Sequence, residues 1–374
     1  MRGDIAHDNG RRLAYLDGWR GLCILAVLAG HFLPFHALDF GDLGVEMFFV
    51  LSGRLMADIL FVERYPLPAF YLRRFSRVWP GLAVYVAFCA VSFRAPGFLH
   101  VRLVDIAAAL TFLSNYRVEF FGQSQVLDHT WSLAVEEHSY VVLGLLAVWL
   151  RGRAAIRARW VILGLALVMA VNGIVQTYVF PSKDLVLDIP ARHALVYFDV
   201  YWRSDIHAAS VFGAAFVYLH FRNRDGDTLP RAAVAAVALC GVLCFISALP
   251  MPVRFTIGTA CLAVSVCALD APSNPLRGIL GNRILILFGT WSYSIYLWQQ
   301  VFYKLFQSMR DSGTLTAVEG VLFRPAFVLG ACVAGILSYH LVERPARRYI
   351  NERWTRPLLR HVTVVPEAAR HSEG

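Results

Sequence analysis

Charge is sparse along these 374 residues: Asp, Glu, Lys and Arg make up 16% of the chain, against 57% hydrophobic residues and a mean hydropathy of +0.54. A soluble domain of this size is excluded by that balance, and the expected class is an all-α polytopic membrane protein. Paired cysteine motifs are also lacking. No CxxC occurs among the seven cysteines, which all fall inside apolar runs, so neither a disulfide framework nor a thiolate metal site is expected. Cys240 and Cys244 share a helix face but have no His or carboxylate neighbours in sequence. No internal repeat is visible, and no small-residue cleavage site follows the first apolar run, so a cleaved signal peptide is not expected.

What is present is a series of about ten apolar runs, beginning near residues 19, 41, 78, 131, 160, 205, 232, 255, 284 and 325. An even number of spans puts both termini on one side. The segments on that side hold about 24 of the 35 basic residues and the opposite loops about 9, so both termini are expected in the cytoplasm. The basic excess needs no nucleic-acid partner to explain it. The expected layout is a cytoplasmic tail over 1–18, a membrane domain over 19–343 and a basic, partly disordered cytoplasmic tail over 344–374. The longest external stretches are expected at 94–130 and 180–204, with a short interfacial or re-entrant helix at 106–113. Oligomeric state is not legible.

Residues 19–38 read as the first spanning helix and contain His31, with Arg20 eleven positions earlier. Eleven residues turn a helix three times plus about 20°, so the two share a face, about 16 Å apart along the axis. Pro34 is expected to break the helix beside the imidazole. A core histidine satisfied by a neighbouring helix is the bland reading; the aligned arginine and the proline favour catalysis.

The second run holds Glu46, Arg54 and Asp58, which lipid would not tolerate. Glu46 is expected near the depth of His31, and Arg54 nearer that of Arg20. The next segment, FYLRRFSRVWP, adds Arg73, Arg74 and Arg77, whose planar guanidinium groups suit phosphate oxygens as well as anionic lipid. In HTWSLAVEEHSYVV, residues Ser132, Glu136, Ser139 and Tyr140 form one helical stripe able to line a polar cavity or to lock helices together. A carboxylate there can orient His31, hold its charge, or bind a hydroxyl. Four further histidines, His129, His138, His207 and His340, lie near span ends and read as interfacial or packing residues. These residues alone also fit a proton-coupled transporter or a scaffold for polysaccharide assembly.

The motifs LDGWRGLCILAVLAGH, GVEMFFVLSG, RRFSRVWP, TWSLAVEEHSY, GTWSYSIYLWQQ and YHLVERPARR, in this order from residue 16 to 348, resemble those of the membrane-bound acyltransferase-3 family. The resemblance implies a ten-helix enzyme of the bacterial cytoplasmic (inner) membrane that takes an acyl group, usually acetyl, from cytoplasmic acyl-CoA and passes it to a hydroxyl of a glycan or other acceptor. Acetyl-CoA is then a co-substrate, with no permanently bound cofactor and no metal. His31 matches the family's essential histidine and Arg20 its paired arginine. Arg73, Arg74 and Arg77 match its cytoplasmic arginine motif, and Glu136 and Glu137 its WSL-plus-acid motif. Two positions depart from the pattern: Arg54 stands where an aromatic usually follows SG, and Gln299 where a histidine commonly ends the YLW motif. The combined expectation puts His31, Glu136 and Glu46 in catalysis, Arg20, Arg54, Arg73, Arg74 and Arg77 on the CoA, and Ser132, Glu137 and Tyr140 on the acceptor. The acceptor is expected to be a surface or exported polysaccharide or its lipid-linked precursor, with a macrolide-type small molecule as the alternative.

Overall fold

In the computed structural model, residues 2–35, 37–116, 124–151, 155–179, 192–222, 230–271 and 274–358 are described. Among them there is no β-strand, only an isolated bridge between Leu38 and Ile246. The longer helices are α1 (Arg2–Phe32), α2 (Phe40–Ala57), α3 (Leu67–Ser92), α5 (Trp131–Trp149), α6 (Ala155–Val179), α7 (Arg192–Phe221), α8 (Arg231–Leu243), α9 (Thr259–Ala268), α11 (Arg283–Asp311) and α12 (Ala317–Ser338). Short helices α4 (Leu103–Leu110), α10 (Leu276–Leu280) and α13 (Arg344–Ile350) connect or extend them. A helix lies over each apolar run marked in the sequence. Among the described residues three continuous helical stretches, Leu67–Ser92, Arg157–Val175 and Val318–Leu358, are long and apolar enough to cross a membrane. Leu167, Val168 and Val171 on α6, and Leu322, Leu329 and Val333 on α12, point outward uncovered, as a lipid-facing surface would.

Several boundaries differ from the sequence expectation. The first helix begins at Arg2 and stops at Phe32, so Pro34 ends it rather than kinking a longer span. The chain then turns through residues tied to the α8–α9 connection, where Ser247 N–H donates to the Ala37 carbonyl at 2.9 Å. His31 therefore sits in the last turn of α1. Residues 192–204, read as external loop, belong to α7; the sequence holds no glycine or proline there to interrupt a helix. The rest of that predicted loop, 180–191, lies outside the described residues, as do 117–123 and 359–374. A short helix is present near the expected 106–113, as α4 at Leu103–Leu110, three residues earlier.

The start of the basic tail is also ordered. Helix α12 runs through a wide π-helical turn, Tyr339–Glu343, into α13 and a second such turn, Asn351–Thr355. Glu343, Arg347, Asn351 and Thr355 recur every four residues, and this edge meets α3: Ser76 Oγ donates to Asn351 Oδ1 at 3.3 Å, and Glu343 and Thr355 are buried.

Close backbone approach positions α1. A Cβ on Gly289 would lie 1.7 Å from the Asp17 carbonyl oxygen, one on Gly18 would lie 1.8 Å from that of Leu280, and one on Gly21 would lie 2.1 Å from that of Leu285. No side chain fits at any of the three, so α1 touches the end of α10 and the start of α11 main chain to main chain, as small residues allow in membrane bundles. Gly289→Val should therefore destabilise the fold by about 1–3 kcal/mol or more. Thermal unfolding in detergent should show a clear drop for Gly289→Val. Gly320→Ala on α12, where a Cβ would meet nothing within 4 Å, should leave the transition in place.

Candidate active site

Five elements converge on one cavity of about 750 Å³, and each contributes residues at helical spacing. Helix α3 supplies Phe70, Arg73, Arg74, Arg77 and Val78; α5 supplies Ser132, Leu133, Glu136 and Tyr140; α11 supplies Gly289, Ser292, Tyr293 and Tyr296. Helix α2 supplies an apolar wall from Val45 to Met56 with Ser52 in it, and α1 supplies Asp17 and Arg20. Asp58 and Ile59, Tyr339, and Asn351 also line it, and each belongs to a π-helical turn, a feature that often marks functional sites.

One wall is a closed charge network. Arg74 bonds Glu137 through Nε at 2.7 Å and Glu136 through a terminal nitrogen at 2.9 Å, and its guanidinium lies 4.0 Å from the Tyr140 ring centre. The other oxygen of Glu136 accepts hydrogen bonds from the hydroxyls of Ser52 and Tyr140. Glu136 is thus fully engaged and makes none of its bonds to His31. Of the predicted stripe, Ser132 and Tyr140 face the cavity, while Ser139 turns back onto the Val135 carbonyl.

At the opposite end Tyr296 closes the cavity. Its hydroxyl donates to the His129 carbonyl at 2.9 Å and shares a 2.6 Å hydrogen bond with Ser132. His31 lies about one helical turn beyond, because it bonds Gln299, three residues after Tyr296, and does not itself line the cavity. Gln299 Oε1 is 2.8 Å from His31 Nδ1, and the ring of Tyr303 stacks on the imidazole with centroids 4.6 Å apart. A carbonyl oxygen only accepts, so Nδ1 carries the proton and Nε2 keeps its lone pair. A ring held in this tautomer can take a proton or attack a carbonyl at Nε2.

Besides His31, three predicted site residues do not line the cavity: Glu137, held by Arg74 outside the lining, and Glu46 and Arg54, which are placed elsewhere. Glu46 is fully buried and bonds His207, which is boxed by Phe49, Trp131 and Phe255, rather than facing His31. Arg54 is buried against Asp270 at 2.5 Å and over the Tyr218 ring, with Tyr15 donating to the same carboxylate, and does not line the cavity. Both form inter-helix locks, because a buried charge finds its counterpart on whichever helix is adjacent. Missing from the sequence reading were Asp17, which holds Arg20 at 2.5 Å, Ser52, Tyr296, and Arg347 and Asn351 from the tail. The four-residue spacing of Glu343, Arg347, Asn351 and Thr355 was a usable signal for the last two.

A sequence profile of the acyltransferase-3 group, described as an acyltransferase domain, matches residues 13–342. The peptidoglycan O-acetyltransferase OatA of Listeria monocytogenes is 28% identical over 366 residues, covering 89% of this chain and 55% of that protein. The O-acetyltransferase OatA of Staphylococcus aureus is 27% identical over 370 residues, covering 90% of this chain and 58% of that protein. The chain thus spans a little over half the length of these curated relatives. No solved structure matches it.

The charge network gives a stability prediction. Arg74→Ala leaves Glu136 and Glu137 buried without a cation and should cost about 3–5 kcal/mol. Adding Glu136→Gln and Glu137→Gln to it should recover part of the loss in a thermal melt; a triple variant no more stable than Arg74→Ala would show that the network is not holding the helices.

Proposed function

The chain belongs to the acyltransferase-3 family, and on that premise we propose that it is a membrane O-acyltransferase whose cavity receives a CoA thioester from the cytoplasm and delivers the acyl group, acetyl in the first instance, to a glycan hydroxyl. The observation that carries this reading is the polarity of the cavity: five arginines, Arg20, Arg73, Arg74, Arg77 and Arg347, lie at one end, and the other end stops one turn from an oriented imidazole. About 16 Å separates Arg20 and His31 along α1, a gap that an extended pantetheine arm suits. Phosphates bind guanidinium groups bidentately, and the apolar wall of α2 accommodates the arm.

In this reading Tyr296 turns aside when the donor enters. Nε2 of His31 then takes the proton of the acceptor hydroxyl as its oxygen attacks the thioester carbonyl; the C–S bond breaks and the imidazolium returns the proton to the thiolate. The alternative order places the acyl group on Nε2 first and passes it to the acceptor second. Gln299 fixes the tautomer in either case. As a neutral partner it orients the ring without holding a full positive charge as a carboxylate would.

The ten-span layout with both termini cytoplasmic belongs to the same proposal, since it puts the arginine end on the side where acyl-CoA is made. The relatives named for peptidoglycan O-acetylation support a cell-surface glycan as acceptor. With labelled acetyl-CoA and a glycan acceptor, His31→Ala should abolish transfer while leaving a folded, monodisperse protein. Gln299→Ala should lower kcat by about 10–100-fold with little change in the KM for donor. Transfer retained in His31→Ala would remove the assignment. Rapid quench without acceptor separates the two orders: label on His31 supports the relay, and its absence supports the general base.

A further inference from the structure

Of the five cavity arginines, two are already neutralised: Arg20 by Asp17, and Arg74 by Glu136 and Glu137. The other three, Arg73, Arg77 and Arg347, make no ion pair among the described residues. Arg73 lies over the Tyr65 ring, and Arg77 has Arg20, Arg74 and Arg347 as electrostatic neighbours, with Asp17 the nearby carboxylate acting on it. Glu343 acts on Arg77 and Arg347 from behind while accepting a hydrogen bond from Ser294. Like charges gathered in a concave site with too few carboxylates repel one another unless an anion joins them.

Arg347 comes from a different part of the chain than the other two. It lies on α13, in the C-terminal part of the continuous helical stretch Val318–Leu358, and with Asn351 it brings the C-terminal segment into the wall. That segment is docked on α3 at Ser76, one residue from Arg77 and at the opposite end of the cavity from Tyr296. A donor whose thioester points toward Tyr296 has its nucleotide at this end.

We propose that the C-terminal segment, residues 339–355, completes the donor site, and that Arg347, acting with Arg73 and Arg77, reads the 3′-phosphate that distinguishes CoA from its dephospho form. This rests on the CoA-donor reading above. A diphosphate and a 3′-phosphomonoester together present enough charge to occupy three free guanidinium groups, whereas a bare phosphopantetheine arm does not. The segment is therefore a specificity element for the nucleotide, not only a membrane-surface anchor.

The test compares acetyl-CoA, 3′-dephospho-acetyl-CoA and S-acetylpantetheine as donors in an uncharged detergent, so that no anionic headgroup competes. The wild type is expected to favour acetyl-CoA over the dephospho form by about tenfold or more in kcat/KM, and Arg347→Ala to reduce that preference to about twofold or less, chiefly through KM. Arg347→Lys, which keeps the charge and loses the planar fork, should fall between them. Arg348→Ala removes an equal charge whose side chain is 80% exposed and paired with Glu352, and should keep the wild-type preference. A preference for acetyl-CoA that survives Arg347→Ala, or that falls equally in Arg348→Ala, overturns this inference alone. A wild type that uses no CoA thioester overturns the donor reading and this inference with it.

Discussion

The contact on which the site depends is the main-chain packing of α1 against the start of α11. Gly21 and Gly289 let the two helices meet with no side chain between them, as Gly18 does against Leu280 of α10, and the same pair of helices then carries Asp17, Arg20 and His31 on one side and Tyr296, Gln299 and Tyr303 on the other. A separation larger by the width of one methyl group would pull Gln299 from the imidazole and widen the arginine end. Small residues thus set functional distances here, in a medium where hydrophobic burial does not drive helices together.

Charge inside the bundle is divided into two classes by its pairing. Arg54 with Asp270, Glu46 with His207, and Arg74 with Glu136 and Glu137 are matched, and they fix helices that lipid alone would leave free to slide. Among the described residues Arg73, Arg77 and Arg347 make no ion pair, and they line the cavity. The proposed chemistry uses the second class for binding and the first for rigidity. The imidazole is set apart from both, held by a neutral amide and an aromatic ring.

Much of the cavity was legible in the sequence because polar residues at three- and four-residue spacing stand out within apolar helices. Arg73, Arg74 and Arg77, and Ser132, Glu136 and Tyr140, are of this kind, and the structure brings them together. Partners across the bundle were not legible. His207 is 161 positions from Glu46 and Asp270 is 216 positions from Arg54, and nothing local to either carboxylate or guanidinium indicates which helix will lie beside it. The end of α1 was misplaced because apolar composition continues past Pro34, while the backbone cannot. The docked tail was missed for a related reason: its exposed face, with Tyr349 and Trp354, is basic and aromatic, and its buried edge is polar rather than apolar. A hydropathy reading sees such a segment as a solvated tail.

The central claim is that a thioester donor lies in this cavity with its phosphates among the arginines and its acyl carbon at His31. A cryo-electron microscopy structure of the full chain with a non-transferable acetyl-CoA analogue tests it directly. The account predicts Tyr296 displaced, the analogue's carbonyl within hydrogen-bonding reach of His31 Nε2, and its nucleotide phosphates in contact with Arg73, Arg77 and Arg347. An analogue bound outside the cavity, or bound within it while His31 stays screened behind an unmoved Tyr296, would contradict it.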